Sequence, residues 1–371
     1  MVQENLIDNI RRYMKLNGHT IPSLAKKAEI SPATLSNLLN DNSDPRLSIL
    51  SAIAEALNIG MIDLFAEKPK FSSFRFRTYY ALNSKESAHR DNLLFTTEKK
   101  LKEYSQLEDM AQNRLAYVNN IPSFNSPYDA AHYVREIADL QSNEPIINIC
   151  SVIKILGIKF FHFDFKIEKT FGASVNEKDG GPAIIINSSI PNVERKIFTI
   201  AHELGHLLLH KDSYKSPETL DKKDSKEETE ANEFAGELLC PMECVYEAVK
   251  DTRNFGFIEA IMNLKQKYKV SYGTALHQYC NKYSTDYDTV LRKFRAMYTN
   301  KYHKSFKGHF EPFEIPPQLY RFEDEHLRDV VLELYQEERI SAKDAAETLQ
   351  MTEAQIKRIN VLDEDEGNLP F

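Results

Sequence analysis

No tryptophan occurs among the 371 residues, and cysteine is scarce: Cys150, Cys240, Cys244 and Cys280 are all there are. Four cysteines over so long a chain make no disulfide framework. Cys240-x-x-x-Cys244 also lacks the second Cys or His pair of a zinc knuckle, so all four are expected as buried thiols. No apolar run is long enough to span a bilayer and no signal-peptide pattern follows Met1, so a cytoplasmic chain with no membrane partner is expected. Excess positive charge is missing too. The formal net charge of -8 excludes attraction of polyanions over the whole surface and confines any nucleic-acid contact to a local patch. The length exceeds what one hydrophobic core organises, so more than one module is expected.

Residues 4–65 carry apolar residues at helical spacing, divided by turn signals into five short helices. In "TIPSLAKKAEISPATLSNLLNDNSDPRLSILSAIAEALNI", Thr20 is placed to cap a helix with Pro22 in its first turn, and Ser31 to cap a second that starts at Pro32. Ala25 is the small residue where the two helices cross, Ile30 plugs the turn between them, and Leu35 with Leu38 or Leu39 faces the core. Ser31, Ala33, Thr34, Ser36, Asn37 and Asn40 are left at the start and outer face of the second helix, where a major groove would lie. With the fourth helix "SILSAIAEALNI" and the closing "MIDLF", the stretch resembles the five-helix repressor domains of the Cro/C1 (XRE) type. That resemblance implies DNA as a partner and allows a homodimer. Six Lys/Arg stand against seven Asp/Glu in residues 1–66, so phosphate attraction is modest, and dimerisation or docking of another protein is the alternative use of the module.

Beyond Phe65, "AEKPKFSSFRFRTYY" reads as a polar and aromatic connector, and residues 84–119 as a charged helical arm. "SPYDAAHYVREIADLQ" and "IINICSVIKILG" follow as amphipathic helices and "IKFFHFDF" as a strand. "FGASVNEKDGGPAIIINSSI" reads as two strands parted at Gly180-Gly181, and "PNVERKIFTIAHELGHLLLH" as a long helix. The edge of this small sheet near Ala183 to Asn187 is expected beside the long helix's histidines, open to an added peptide strand. Residues 243–300 read as amphipathic helices, and "EPFEIPPQ" punctuates the chain. Residues 321–359 read as a second helix-turn-helix-like element, with a cap at Ser341 and a crossing at Ala345-Ala346, before an acidic, frayed tail.

The long helix contains His202-Glu203-x-x-His206. Residues four apart share a helix face, so the two imidazoles can address one ion while Glu203 reaches its water. A four-coordinate catalytic zinc needs a third protein ligand and an open position. A metzincin-type third histidine is excluded, because Leu209 and Asp212 occupy the positions where that pattern needs Gly and His. His210 is expected as a cap or surface residue. In "EETEANEFAGELLCP", Glu228 is the third ligand and Asn232, one turn on, can hydrogen-bond a ligand imidazole; Glu233 is the competitor for Glu228, and Glu230 points about half a turn away. Tyr214 and His210 are the candidates for an oxyanion donor. The charged stretch 211–228 between the two segments reads as a loop over the cleft.

"AIIINSSIPNVERKIFTIAHELGHLLLH" followed by "ETEANEFAGELLCP" resembles the ImmA/IrrE family of metallopeptidases over residues 120–250, with Cys240 where methionine is usual. The resemblance implies Zn2+ held by His202, His206 and Glu228, with Glu203 as the catalytic base. It also implies a protein substrate, often a repressor or an antitoxin-like regulator, in a bacterial or phage switch. The expected fold is α+β and mostly helical: a helix-turn-helix domain at 1–67, a helical connector at 68–120, a zincin-like core of gluzincin type with a small sheet at 121–248, and a helical region at 249–371. The alternative function is a DNA-binding regulator or antitoxin-like subunit whose zinc domain senses or binds without proteolysis.

Overall fold

The computed structural model describes residues 2–41, 44–76, 82–118, 121–214, 225–250, 256–307 and 310–366. The chain divides into two compact units, one of residues 1–70, 78–100 and 165–170, the other of 71–77, 101–164 and 171–371. It is α+β and mostly helical.

In the first unit, α1 (Val2–Leu16), α2 (Ile21–Lys27), α3 (Pro32–Leu39) and α4 (Leu47–Leu57) precede a 3-10 turn at Met61–Leu64. The expected fifth helix is thus this one turn, closed by the Asp63 carboxylate, which accepts from the Gly60 N–H at 3.0 Å. Thr20 and Ser23 cap α2 reciprocally, each side chain accepting the other's backbone N–H. The Ser31 hydroxyl accepts from the Thr34 N–H at 3.0 Å and starts α3. Leu24, Ala25, Leu35 and Leu38 are fully buried with Ile10, Ile53 and Leu64. Ile30 is half-buried in the turn, its N–H bonded to the Ala25 carbonyl. The helix α5 (Ser84–Ala111) gives its residues through Lys100 to this unit and the remainder to the second.

The second unit begins with β1 (Phe74–Arg75), inside what reads in sequence as a connector. Two things fix it. Phe71, Phe74 and Phe76 are buried, and the Asp179 carboxylate accepts from the backbone N–H and hydroxyl of both Ser72 and Ser73 at 2.6 to 3.0 Å. Next come α6 (Pro127–Ile137), α7 (Ile149–Ile155), β2 (Lys159–Phe163), β3 (Gly172–Val175), β4 (Ala183–Asn187) and α8 (Val193–Leu209). Gly180, at φ 82°, turns the chain between β3 and β4 in the left-handed region that favours glycine.

The sheet runs β1-β3-β4-β2, with β1–β3 and β3–β4 antiparallel and β4–β2 parallel. The expected open edge at Ala183 to Asn187 is therefore corrected: β4 is an interior strand. Every residue of β4 is buried, as a continuous apolar run covered on both faces should be. The strand beside α8's glutamate is β3, and its outer neighbour is β1.

The remaining helices are α9 (Ser225–Leu239), α10 (Met242–Lys250), α11 (Phe257–Tyr268), α12 (Tyr272–Tyr283), α13 (Tyr287–Tyr302), α14 (Glu325–Gln336), α15 (Ala342–Leu349) and α16 (Glu353–Glu366). The main core joins α6 to α13 across β2 and β4, and all four cysteines are buried free thiols. Val331, Ala345, Ala346 and Ile356 form a small separate core for α14 to α16, with Ser341 in a capping box. The tail expected to fray at 364 is helical through Glu366; residues 367–371 lie outside the described residues.

A buried ionic cluster anchors the start of α8. The Lys265 ammonium on α11 is bonded to Glu194 in the first turn of α8 and lies 3.4 Å from Glu311. Burial pushes the Glu311 carboxyl from 4.5 up to about 7, against the opposing pull of Lys265. A folded pKa above the unfolded one stabilises fully below about 4.5, and that contribution is lost as pH rises through about 7, at most about 3 kcal/mol. Denaturant titrations of the wild type and Glu311→Gln should therefore show the variant gaining on the wild type between pH 5 and pH 8; a difference independent of pH would refute the assignment.

Candidate metal centre

The helix α8 crosses α9 at Gly205, where a Cβ would lie 2.9 Å from the Phe234 ring and 3.3 Å from the Ala231 Cα. Only a residue without a side chain lets the helices approach so closely. That approach brings the first turn of α9 to the histidines of α8. His202, His206 and Glu228 form the one group among the described residues that could hold a metal ion, with ligand atoms within 4.8 Å of one another. The two Nε2 atoms are 3.0 Å apart. Glu228 Oε2 lies 3.6 Å from His202 Nε2, and its Oε1 lies 3.5 Å from His206 Nε2. Donors about 2.1 Å from a tetrahedral ion stand ~3.4 Å apart, so the two imidazole nitrogens and the Glu228 carboxylate are spaced to fit such an ion.

The far sides of the rings support this. His202 Nδ1 lies 3.0 Å from Asn232 Oδ1, an acceptor, which assigns the ring proton to Nδ1. His206 Nδ1 lies 2.9 Å from His210 Nδ1, and His210 Nε2 lies 3.0 Å from Glu230 Oε2. A carboxylate accepts, so His210 donates from Nε2, accepts at Nδ1, and leaves the proton of His206 on Nδ1. Burial lowers the His210 pKa, in keeping with a neutral ring. Both Nε2 lone pairs then face one point, which a cation reconciles and a hydrogen bond between them does not.

His210 is the C-cap residue of α8, its N–H bonded to the His206 carbonyl, but the expectation of a surface position is corrected: it is buried, with Glu230 of α9 against its ring. Both its nitrogens are engaged, so it orients His206 and is not placed as an oxyanion donor. Glu233 is not in the cluster. Five residues beyond Glu228, it is turned well away on the helix, and burial followed by repulsion from Glu230 raises its carboxyl pKa.

Glu203 is buried between α8 and β3. Ser174 on β3 donates to its Oε2 at 2.7 Å, and the Tyr214 hydroxyl lies 2.8 Å from the same Ser174 oxygen. Burial, then the charge of Glu203, pushes the Tyr214 hydroxyl above its usual range, so it stays protonated. Gly172 completes the pocket wall: a Cβ there would meet Glu203 Oε1 at 2.7 Å. Of the stretch expected to form a loop, Lys211–Ser213 is a 3-10 turn, Tyr214 is buried, and α9 begins at Ser225. Residues 215–224 lie outside the described residues.

Two residues of the site escaped sequence reasoning. Ser174 carries no sequence signal, being a small residue in a short strand. Arg75 reaches Glu227 at 2.9 Å and Glu228 at 3.8 Å, and the alternation in "FRFR" was its available signal.

Residues 153–279 match the Peptidase M78 profile, an IrrE N-terminal-like domain, and residues 9–70 match a Cro/C1-type HTH DNA-binding domain. The chain joins these two domain types. The IrrE N-terminal-like match contains all three candidate donors and Glu203, so one chain carries a metallopeptidase-like match and a match to a DNA-binding domain type. No curated protein matches the sequence. Among solved structures, ComR from Streptococcus suis is similar at 10% identity, covering 98% of this chain and 96% of its own, with a TM-score of 0.17. Bacillus thuringiensis PlcR, solved with the peptide PapR7 and DNA, is similar at 13% identity, covering 81% and 96%, with a TM-score of 0.16. Scores so low establish no common arrangement of the chains. Among the described residues no helix is long and apolar enough to cross a membrane.

Proposed function

We propose that the protein is a zinc-dependent endopeptidase that cleaves a regulatory protein of repressor or antitoxin-like type and engages DNA through its first 70 residues. The observation that carries the reading is the convergence of His202 Nε2, His206 Nε2 and a Glu228 carboxylate beside the buried carboxylate of Glu203. When bound, the zinc supplies Lewis acidity toward a scissile carbonyl and toward water. Glu203, held at Oε2 by Ser174, moves a proton from the attacking water to the leaving amine. Asn232 and His210 fix the ring protons of His202 and His206 so that both Nε2 atoms face the ion. Tyr214 supports Ser174 from behind and keeps water from that end of the pocket.

On the DNA side, Ser31, Ala33, Asn37 and Asn40 are exposed, and Thr34 and Ser36 half-buried, so α3 offers a short polar face to a major groove. With no cation on α3, contact to phosphate falls to residues elsewhere in the module, and the affinity is expected to depend weakly on salt.

Elemental analysis tests the reading at its base. Wild-type protein purified without added metal should carry about one zinc per chain, and His202→Ala and Glu228→Ala should lose it. A wild type that stays metal-free after zinc is supplied would leave a DNA-binding or partner-binding protein on an inactive hydrolase scaffold.

A further inference from the structure

Two adjacent carboxylates open α9, and only Glu228 stands with the histidines. Its neighbour Glu227 is held elsewhere: Oε2 accepts from Arg75 Nη2 at 2.9 Å and Oε1 from the Ser213 hydroxyl. Arg75 is 5% exposed. It stands opposite Ser174 in the β1–β3 pairing, so it projects on the same face as Ser174, the face that meets Glu203. Its Nη2 is also 3.8 Å from Glu228 Oε1, which puts the guanidinium between the two carboxylates. The arrangement is poor for stability, because Nη1 is buried without a hydrogen-bond partner and a guanidinium so enclosed carries a desolvation cost. An arginine kept in such a place calls for another explanation.

We propose that Arg75 is a positioning residue of the metal centre: with Ser213 it holds Glu227 out of the donor set and so keeps open the coordination position that a hydrolytic centre needs. This rests on the metallopeptidase reading. A hard carboxylate adjacent to a bound ligand is the natural fourth donor for a divalent cation, and four protein donors make a closed, structural site. The Arg75 charge opposes that closure doubly. It forms a competing ion pair with Glu227, and it repels a cation drawn further towards the two carboxylates. The residue arrives on β1, which the Asp179 clamp on Ser72 and Ser73 fastens to the sheet, so the connector contributes a working part of the site.

The test is zinc affinity, measured on the full chain by competition with a chromophoric chelator. Damage to a merely structural arginine lowers metal affinity, whereas release of an extra ligand raises it. Arg75→Ala is expected to bind zinc at least about tenfold more tightly than the wild type, and Arg75→Ala with Glu227→Gln to return to within about threefold of it. Ser213→Ala, which leaves β1 untouched, should tighten binding in the same direction and covers the case in which Arg75→Ala does not fold. The cobalt-substituted variants should show the visible absorption of a changed donor set, reverting in the double variant. Unchanged or weaker zinc affinity in folded Arg75→Ala and Ser213→Ala overturns the proposal while leaving the metallopeptidase reading intact. A wild type that takes up no zinc overturns both.

Discussion

Replacing Glu203 with Gln is expected to lower peptide-bond hydrolysis by about 10²- to 10⁴-fold, the usual contribution of a positioned acid-base group, while zinc content and fold stay as in the wild type. Gln matches Glu in shape, and its amide oxygen can still accept from the Ser174 hydroxyl, so the wall formed by Gly172 and β3 need not move. What disappears is the basic oxygen that shuttles the proton. The measurement is cleavage of a co-expressed regulatory substrate, followed by mass, beside promoter binding by the same two proteins. Loss of cleavage with DNA binding retained supports the peptidase reading. If Glu203→Gln still produces the full biological response, the metal domain works by sensing or binding.

The second large effect concerns stability. Lys265→Met is expected to cost about 3–5 kcal/mol, because it strands Glu194 and Glu311 without their shared cation. Lys265 and Glu194 are each 1% exposed, so water cannot compensate. Glu194 Oε1 also accepts from the Ile315 N–H at 3.0 Å, which ties the start of α8 to the segment that precedes α14. The triple variant Glu194→Gln, Lys265→Met, Glu311→Gln should recover most of the loss, since removing every charge also removes the desolvation that the cluster bears. Denaturant midpoints at fixed pH check both statements; a single variant within 1 kcal/mol of the wild type would contradict the first. The same cluster holds the helix that carries His202 and His206, so zinc affinity should fall along with stability.

The sequence by itself determined whatever depends on neighbours along the chain. Thr20, Ser31 and Ser341 cap helices where their spacing says they should, because a cap bonds only to the next few backbone N–H groups. His202 and His206 share a face because a helix repeats every 3.6 residues, and Asn232 follows Glu228 by one turn of α9 for the same reason. Tertiary structure alone decided the rest. The place of β4 inside the sheet depended on β2, which pairs with it on the side away from β3, and the covering of β3 on β1, a two-residue strand fixed by Asp179, over a hundred residues away in sequence, and not by its own propensity. The role of His210 depended on which face of α8 meets α9, and that was set by the missing side chain of Gly205. Glu227 and Glu228 are identical side chains in adjacent positions. Only the arginine brought in from β1 and the histidines of α8 set one against a guanidinium 2.9 Å away and group the other with the imidazoles of the candidate metal centre.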